Sequence, residues 1–161
     1  GHTAAGRLAP MRHEPPDGSA PARLRDRPTW LISRTYARSH RILNEAFAET
    51  GTGLRSYHYR LLAALDEAGP SSQADLARGT SVDRSDVVAV LGDLEQAELI
   101  QRTVDPANRR RNIVTLTRAG KRQLKALDQV VDQAQERVME PLTPSERARF
   151  LKLLRRMDGS A

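Results

Sequence analysis

Apolar residues recur at helical spacing along the first half of the chain. Between Thr29 and Gly51 they mark one face of a long helix, which Thr29 would cap and Gly51 would end. A second helix is predicted from Ser56 to Ala68, where a Gly-Pro pair breaks the pattern. The residues that define the two faces are Ile32, Tyr36, Leu43, Phe47, Tyr59, Leu62 and Leu65.

Two short helices with marked starts are predicted next. The first runs from Ser72 to Arg78, with Ser72 as its cap and Asp75 in the acidic position of a capping box. The stretch Gly79-Thr80-Ser81 is predicted to form a tight turn into the second helix, which begins at Asp83. Asp83 is its predicted N-cap residue and Asp86 the acid at N3. Val82 and Val87, on either side, are predicted to form a hydrophobic staple.

The pattern then changes from helical spacing to short β-branched runs. Ile100 to Val104 and Ile113 to Leu116 are predicted to be the strands of a hairpin. The polar loop 105–112 between them carries Arg109, Arg110 and Arg111 at its tip. The sequence therefore predicts a hairpin with a basic end.

Two further helices are predicted after the hairpin. Thr117 caps the first, and its apolar residues alternate in steps of three and four, which is typical of a coiled-coil seam that needs a partner helix. The second begins with the capping box Thr143-Pro144-Ser145-Glu146. The seam consists of Leu124, Leu127, Val131, Ala134 and Val138, and the predicted buried face of the last helix consists of Phe150, Leu151, Leu154 and Met157.

These elements predict a mainly α fold with a small β-hairpin wing, an α+β arrangement in which a winged helix-turn-helix domain is joined to terminal dimerisation helices. Residues 1–28 contain five prolines among Gly, Ala and Arg, and we expect them to form a flexible N-terminal arm. Residues 29–52 and 118–158 form the predicted helical dimerisation region. Residues 53–117 form the predicted DNA-binding domain.

Composition narrows the possible functions. The 161 residues include 26 Lys and Arg against 20 Asp and Glu, and this excess of positive charge indicates a polyanionic partner only if it is clustered. A solvated, arginine-rich surface would give the same total. The absence of cysteine excludes disulfides and thiolate metal sites. No apolar run approaches the roughly 20 residues that a membrane span requires, so we expect a cytoplasmic protein with no membrane partner.

In a winged helix-turn-helix the second short helix enters the major groove of DNA. If its apolar residues face inward, its outer face carries Ser85, Ala89 and Gly92, without bulky side chains. Arg84 is suited to a guanine edge or a phosphate, and Val88 is suited to a thymine methyl group. A solvated helix would present a similar face, so the helix alone leaves both interpretations open.

The arginines of the wing favour DNA over that alternative. Three arginines on a hairpin concentrate positive charge where a side chain can enter the narrow minor groove. Asp105 is placed to pair with one of them and fix its direction, although an ordinary surface ion pair fits as well. The predicted DNA contacts are Ser72, Gln73, Asp83, Arg84, Ser85, Asp86, Val88, Ala89, Arg109, Arg110 and Arg111, and the predicted wing supports are Asp105 and Asn108. For Asp86, capping of the helix is the favoured role.

From about Leu54 to Gly120 the chain resembles the MarR family of transcription regulators. The segments that carry the resemblance are 73–77, 82–85, 94–100, 105–110 and 116–120, with sequences QADLA, VDRS, LEQAELI, DPANRR and LTRAG. The resemblance implies a homodimer, paired through its terminal helices, that binds a pseudo-palindromic operator on double-stranded DNA and acts in most cases as a repressor. It also implies that Arg109 enters the minor groove and that Arg110 supports the wing or contacts phosphate.

The chain departs from the family pattern at two positions. Asn108 stands where an aspartate is usual, which puts a wing-stabilising pair at that position in doubt. Glu98 occupies a turn position that is often glycine, so the connection into the first wing strand is the second open point.

Members of the family often release DNA when a small phenolic or anionic ligand binds between the pairing helices and the winged domain. The candidates for such a pocket are Trp30, Tyr36, His40, Tyr57 and His58, although core or interface roles are the more common fate of such residues. No converging catalytic set, metal motif or phosphate loop is present, so we expect no enzymatic activity, no metal and no cofactor. The alternative function is a helical protein-interaction module without specific DNA binding. RNA binding is disfavoured because no aromatic platform accompanies the arginines.

Overall fold

The computed structural model describes residues 20–160. This part of the chain is mostly helical and carries a small three-stranded antiparallel sheet, in which the last strand along the chain lies between the other two. The elements are α1 (Ala22–Arg25), α2 (Pro28–Glu49), α3 (Ser56–Ala68), β1 (Ser71–Ser72), α4 (Gln73–Thr80), α5 (Arg84–Gln96), β2 (Ile100–Asp105), β3 (Asn108–Leu116), α6 (Arg118–Met139) and α7 (Pro144–Asp158). The chain divides into two compact units, and the boundary falls within α2, between Ala37 and Arg38.

The start of the described chain differs from the prediction at two points. Of the predicted arm, residues 1–19 lie outside the described residues, while Ala22–Arg25 form one turn of helix with no buried residue. The long helix begins at Pro28, so the prediction that Thr29 caps it is wrong. Proline is favoured at the first helical position because its fixed φ suits the helix and its missing N–H needs no partner there. Gly51 has a φ of 67°, as expected where the chain leaves α2.

The core of the second unit is built from aliphatic side chains of α3, α4, α5, α6 and the sheet. The most completely buried of them are Leu61, Leu62, Leu65, Val87, Leu91, Leu94, Ile100, Val114 and Leu127. Phe47 packs against Tyr59 with the ring centroids 6.2 Å apart. Because α6 contributes Leu124 and Leu127 to this core, the first part of the predicted seam packs within its own chain rather than against a partner helix.

Three of the predicted helix caps are confirmed. The side chains of Ser72, Thr117 and Thr143 accept hydrogen bonds from the backbone at the starts of α4, α6 and α7, and Glu146 completes the capping box of α7. No such box forms at α4, because the Asp75 carboxylate pairs with Arg78 instead.

The predicted capping pair at the start of α5 is wrong. Asp83 lies at the N-cap position, but its carboxylate makes no capping hydrogen bond, and Asp86 completes no box. The predicted staple does form in the sense that Val82 and Val87 are both buried, so apolar packing fixes this helix start. The predicted turn at 79–81 is also shorter, because α4 continues to Thr80 and only Ser81 turns, in the left-handed conformation.

The apolar face of α7 is not buried, contrary to the prediction. Leu151, Leu154 and Met157 are 45%, 40% and 66% exposed, and Phe150 is half-buried. None of the residues of α7 is buried. A row of apolar side chains is therefore left open at the carboxyl end.

Candidate nucleic-acid interface

A groove of about 310 Å³ lies where the start of α4, the start of α5 and strand β3 meet. It is lined by Ser72, Gln73, Ala74, Arg84, Val87, Val88, Arg110, Arg111 and Asn112. Six of the predicted DNA contacts, drawn from all three elements, thus share one surface. Strand β1, which the sequence analysis missed, helps to assemble this surface because Ser71 and Ser72 pair with Val114 and Ile113 of β3.

Helix α5 presents the outer face that its sequence predicts. Val87, Val90, Leu91 and Leu94 are buried, whereas Arg84, Ser85, Asp86, Val88 and Ala89 are exposed. Val88 is an aliphatic side chain with 56% of its surface in solvent. A small, partly apolar face of this kind can approach base edges without a steric barrier.

Two exposed carboxylates, Asp83 and Asp86, flank Arg84 at the start of α5. Negative charge at the amino end of a helix is stabilising because it interacts favourably with the helix dipole. The same charge repels the phosphate groups of DNA. The positive charge of this region therefore has to come mainly from Arg84 and the wing.

The wing differs from the prediction in the position of its arginines. β2 and β3 are joined by a turn at Pro106 and Ala107, so residues 108–112 belong to β3 and not to a loop. The pairing shifts from Val104 opposite Asn112 to Asp105 opposite Asn108. Arg109, Arg110 and Arg111 are the three residues that this shift leaves without a partner on β2, so they form a bulge on one strand instead of the tip.

Asp105 and Asn108, the two predicted wing supports, both make polar contacts at the end of the wing. The Asp105 carboxylate accepts the Ala107 N–H at 2.9 Å and lies 3.3 Å from Nε of Arg111. Asn108 Oδ1 accepts the Arg110 N–H at 3.1 Å. Asn108 thus accepts a backbone hydrogen bond within the wing, but it forms no ion pair with a wing arginine in residues 20–160.

The three wing arginines differ in their pairing. Arg111 is held by Asp105, whereas the guanidinium groups of Arg109 and Arg110 form no ion pair within residues 20–160. Both of these side chains are exposed. Positive charge that no carboxylate neutralises is therefore concentrated on this part of β3, where Arg110 lines the groove.

A second cavity, of about 550 Å³, lies beside the end of α2 and the start of α3. It is lined by His40, Asn44, Phe47, Ala48, Gly51, Gly53, Leu54, Arg55, Ser56 and Tyr57. Of the five predicted ligand residues, His40 and Tyr57 line this cavity, and Trp30 and Tyr36 belong to the other unit. Three further polar residues of the lining, Asn44, Arg55 and Ser56, were not predicted, because polar residues near a helix end carry no signal that separates a pocket from ordinary surface.

His58 has a structural role and does not line the cavity. Its Nδ1 accepts the Arg55 N–H at 2.9 Å, so the neutral ring donates its Nε2–H to Asp93, also at 2.9 Å. His58 is 5% exposed. Its two hydrogen bonds connect the start of α3, which forms one wall of the cavity, to helix α5.

Residues 20–160 contain no group of three or more acidic or histidine side chains that could hold a metal ion. Within the same range, the helices are too short or too polar to cross a bilayer.

Residues 52–111 match a model of the MarR family. The chain is 35% identical over 130 residues to the HTH-type transcriptional repressor NicR of Pseudomonas putida, a match that covers 81% of each protein. Its fold is similar to that of Bordetella bronchiseptica BpsR, a protein whose DNA binding is regulated by 6-hydroxynicotinic acid. The TM-score is 0.77 at 27% identity, covering 86% of this chain and 98% of BpsR. The transcriptional regulator PcaV of Streptomyces coelicolor, solved with its natural ligand, gives a TM-score of 0.73 at 25% identity, covering 88% and 99% of the two chains.

Proposed function

Because the chain belongs to the MarR family of transcription regulators, we propose that it binds operator DNA as a homodimer, with α5 in the major groove and the wing at the adjacent minor groove. The observation that carries this proposal is the groove in which α4, α5 and β3 meet, with the unpaired Arg110 in its lining and the unpaired Arg109 next to it on β3. Repression is the expected outcome, since a bound dimer would exclude other proteins from the same DNA.

In this arrangement the two reading elements have different tasks. Arg84 and Val88 project from the first turns of α5 and supply base contacts, while Gln73 at the start of α4 binds the phosphate backbone. Ser72, which was also predicted to contact DNA, is buried, and its hydroxyl caps α4. Arg109 enters the minor groove, where the negative potential is strongest in narrow stretches. Arg110 beside it neutralises phosphate.

The proposed dimer is supported by the apolar face of α7. Leu151, Leu154 and Met157 are exposed in the single chain, and a second copy that covers them would remove this apolar surface from water. A two-fold dimer presents two α5 helices related by symmetry, which is why we propose a pseudo-palindromic operator with two half-sites.

The proposal is tested by selecting DNA from a random pool with the purified protein and measuring the affinity for the selected sequence at several salt concentrations. We expect a steep fall in affinity as salt rises, with a clear preference for the selected sequence. Weak binding that is equal for all sequences would contradict DNA reading and favour the protein-interaction alternative.

Arg84→Ala tests the role of α5 directly. If Arg84 reads a base edge, the variant loses about 1–3 kcal/mol of binding free energy and accepts more bases at one position of each half-site. Repeating the selection with this variant checks the preference, and Lys125→Ala, an exposed charge on α6, is the matched control. A uniform loss with unchanged preference would show that Arg84 contacts phosphate and that other residues of α5 read the bases.

We further propose that the cavity between α2 and α3 binds a small aromatic acid that releases the protein from DNA. Phe47 and Tyr57 give the cavity an aromatic lining, and His40, Asn44 and Arg55 add polar side chains that suit an anionic ring. Few residues connect the cavity to the DNA-binding helix. Arg55 and Tyr57 of the lining flank His58, and the His58 ring is hydrogen-bonded to Asp93 of α5. The regulation of BpsR by 6-hydroxynicotinic acid supports this class of ligand.

Filling the cavity tests the effector proposal. Ala48 lies on its wall and is exposed, so Ala48→Trp occupies the space without removing a polar contact. With 6-hydroxynicotinic acid as the probe, we expect the unmodified protein to release its DNA and the variant to require at least roughly tenfold more acid. Equal release by both proteins would place the effector elsewhere.

A further inference from the structure

The wing has little anchorage in the core beyond its base. Ile100 and Val114 are the buried residues of β2 and β3, and none of the residues from 103 to 113 is buried. Three residues, 97–99, connect α5 to β2, and among them Glu98 has a φ of 60°. The direction of the wing relative to α5 is therefore not fixed by burial of its outer half.

Within residues 20–160, one charged pair joins α5 directly to the wing. Arg102 Nε donates to Glu95 Oε2 and Arg102 Nη2 donates to Glu95 Oε1, both at 3.0 Å. Two parallel bonds fix the plane of the guanidinium group, which a single hydrogen bond would not do. The hydrogen bond from Arg102 lowers the pKa of Glu95, so the pair is fully charged at neutral pH. Arg102 is also the more enclosed partner, with 24% of its side chain exposed against 43% for Glu95.

We propose that Glu95 and Arg102 are positioning residues that hold the wing in one direction relative to α5, so that both elements meet their grooves of DNA together. This inference rests on the proposed DNA-reading function. Arg102 differs from Arg109 and Arg110 in that its charge is neutralised by Glu95, so it acts through the geometry of the wing and not as a phosphate contact. A protein that contacts DNA with two elements loses affinity when one of them is mobile. Binding must then fix the position of that element, at a cost in conformational entropy.

The sign of the effect separates positioning from electrostatics. Glu95→Ala removes a negative charge from a DNA-binding domain, and charge alone predicts tighter binding with a steeper salt dependence. Positioning predicts the opposite, a loss of about fivefold to tenfold in affinity for the selected DNA. Alanine is the best helix former, so the end of α5 is not weakened by the change itself.

The experiment compares five proteins on the selected DNA: the unmodified chain, Glu95→Ala, Arg102→Lys, the exchange Glu95→Arg with Arg102→Glu, and the control Glu67→Ala. Glu67 is an exposed carboxylate on α3 without an ion pair in the described chain, so its replacement alters net charge in the same way. We expect weaker binding by Glu95→Ala and Arg102→Lys, recovery by the exchange, and unchanged or tighter binding by Glu67→Ala. Binding by Glu95→Ala as tight as that of the Glu67 control would overturn the proposal.

Hydrogen exchange of the free proteins gives a second measurement that needs no DNA. We expect the backbone amides of β2 and β3 to exchange about fivefold faster in Glu95→Ala than in the unmodified chain, while the core amides of α3 are unchanged. If the unmodified chain selects no DNA, the proposed function fails, and this measurement still decides whether the pair holds the wing. Unchanged exchange in the wing would refute that role.

Discussion

Replacing Arg109 with alanine is expected to weaken binding to the selected DNA by about 1–3 kcal/mol per subunit. Arg109 lies in the bulge of β3, is exposed, and forms no ion pair in the described chain, so none of its charge is neutralised before DNA binds. The dependence of affinity on salt should also become shallower, by about one released counterion for each phosphate that the variant no longer neutralises. Titrations at four or more salt concentrations measure both quantities.

Two further variants in the bulge separate the effect of charge from that of shape. Arg109→Lys keeps the charge but not the planar group, and we expect it to retain the salt dependence while losing part of the preference for narrow minor grooves. Arg111→Ala removes the arginine that Asp105 holds, so its effect should arise from a looser wing. Affinity and salt dependence unchanged in Arg109→Ala would rule out a minor-groove role for this residue.

Replacing Gly120 with alanine is expected to lower the free energy of unfolding by about 3 kcal/mol, since overpacking of this severity is among the costlier core changes. A Cβ atom at Gly120 would lie 2.1 Å from the Leu99 carbonyl oxygen and 2.7 Å from Leu116 Cδ1. The first of these neighbours is backbone and cannot move aside as the end of a side chain can. Thermal unfolding should show a midpoint roughly 6–12 °C lower in a domain of this size.

Gly79→Ala is the matched control for that prediction. Gly79 is also helical, but a Cβ atom added there would meet nothing within 4 Å. Alanine favours a helix over glycine by up to about 1 kcal/mol, so this variant should be as stable as the unmodified chain or more stable. Equal unfolding midpoints for the Gly79 and Gly120 variants would show that the first turn of α6 can move away from Leu99.

The close approach at Gly120 is also linked to a position at which the MarR family often has glycine and this chain has Glu98. Thr117 caps α6 by accepting the Gly120 N–H, and its hydroxyl donates to the Glu98 carbonyl. These bonds draw the start of α6 against the turn between α5 and β2. Glu98 has the positive φ that glycine adopts most easily, which accounts for the frequent glycine at this position in the family.

Much of the fold was determined by local sequence. Helix α3 matches its predicted range, Ser72, Thr117 and Thr143 cap their helices, and the inward face of α5 follows from its periodicity. Such features depend on residues within one or two turns of each other, so the sequence contains the information directly.

Tertiary structure decided what depends on residues far apart in the chain. β1 is only two residues long and carries no pattern of its own, so its existence follows from pairing with β3. The same holds for the wing, because a shift in pairing with β2 moved Arg109 from a loop to a strand. An apolar stripe predicts that a face is buried but not what covers it: Leu124 is covered by its own chain, while Leu151 is left open. Burial and register are properties of two surfaces in contact, and the sequence of one segment describes only one of them.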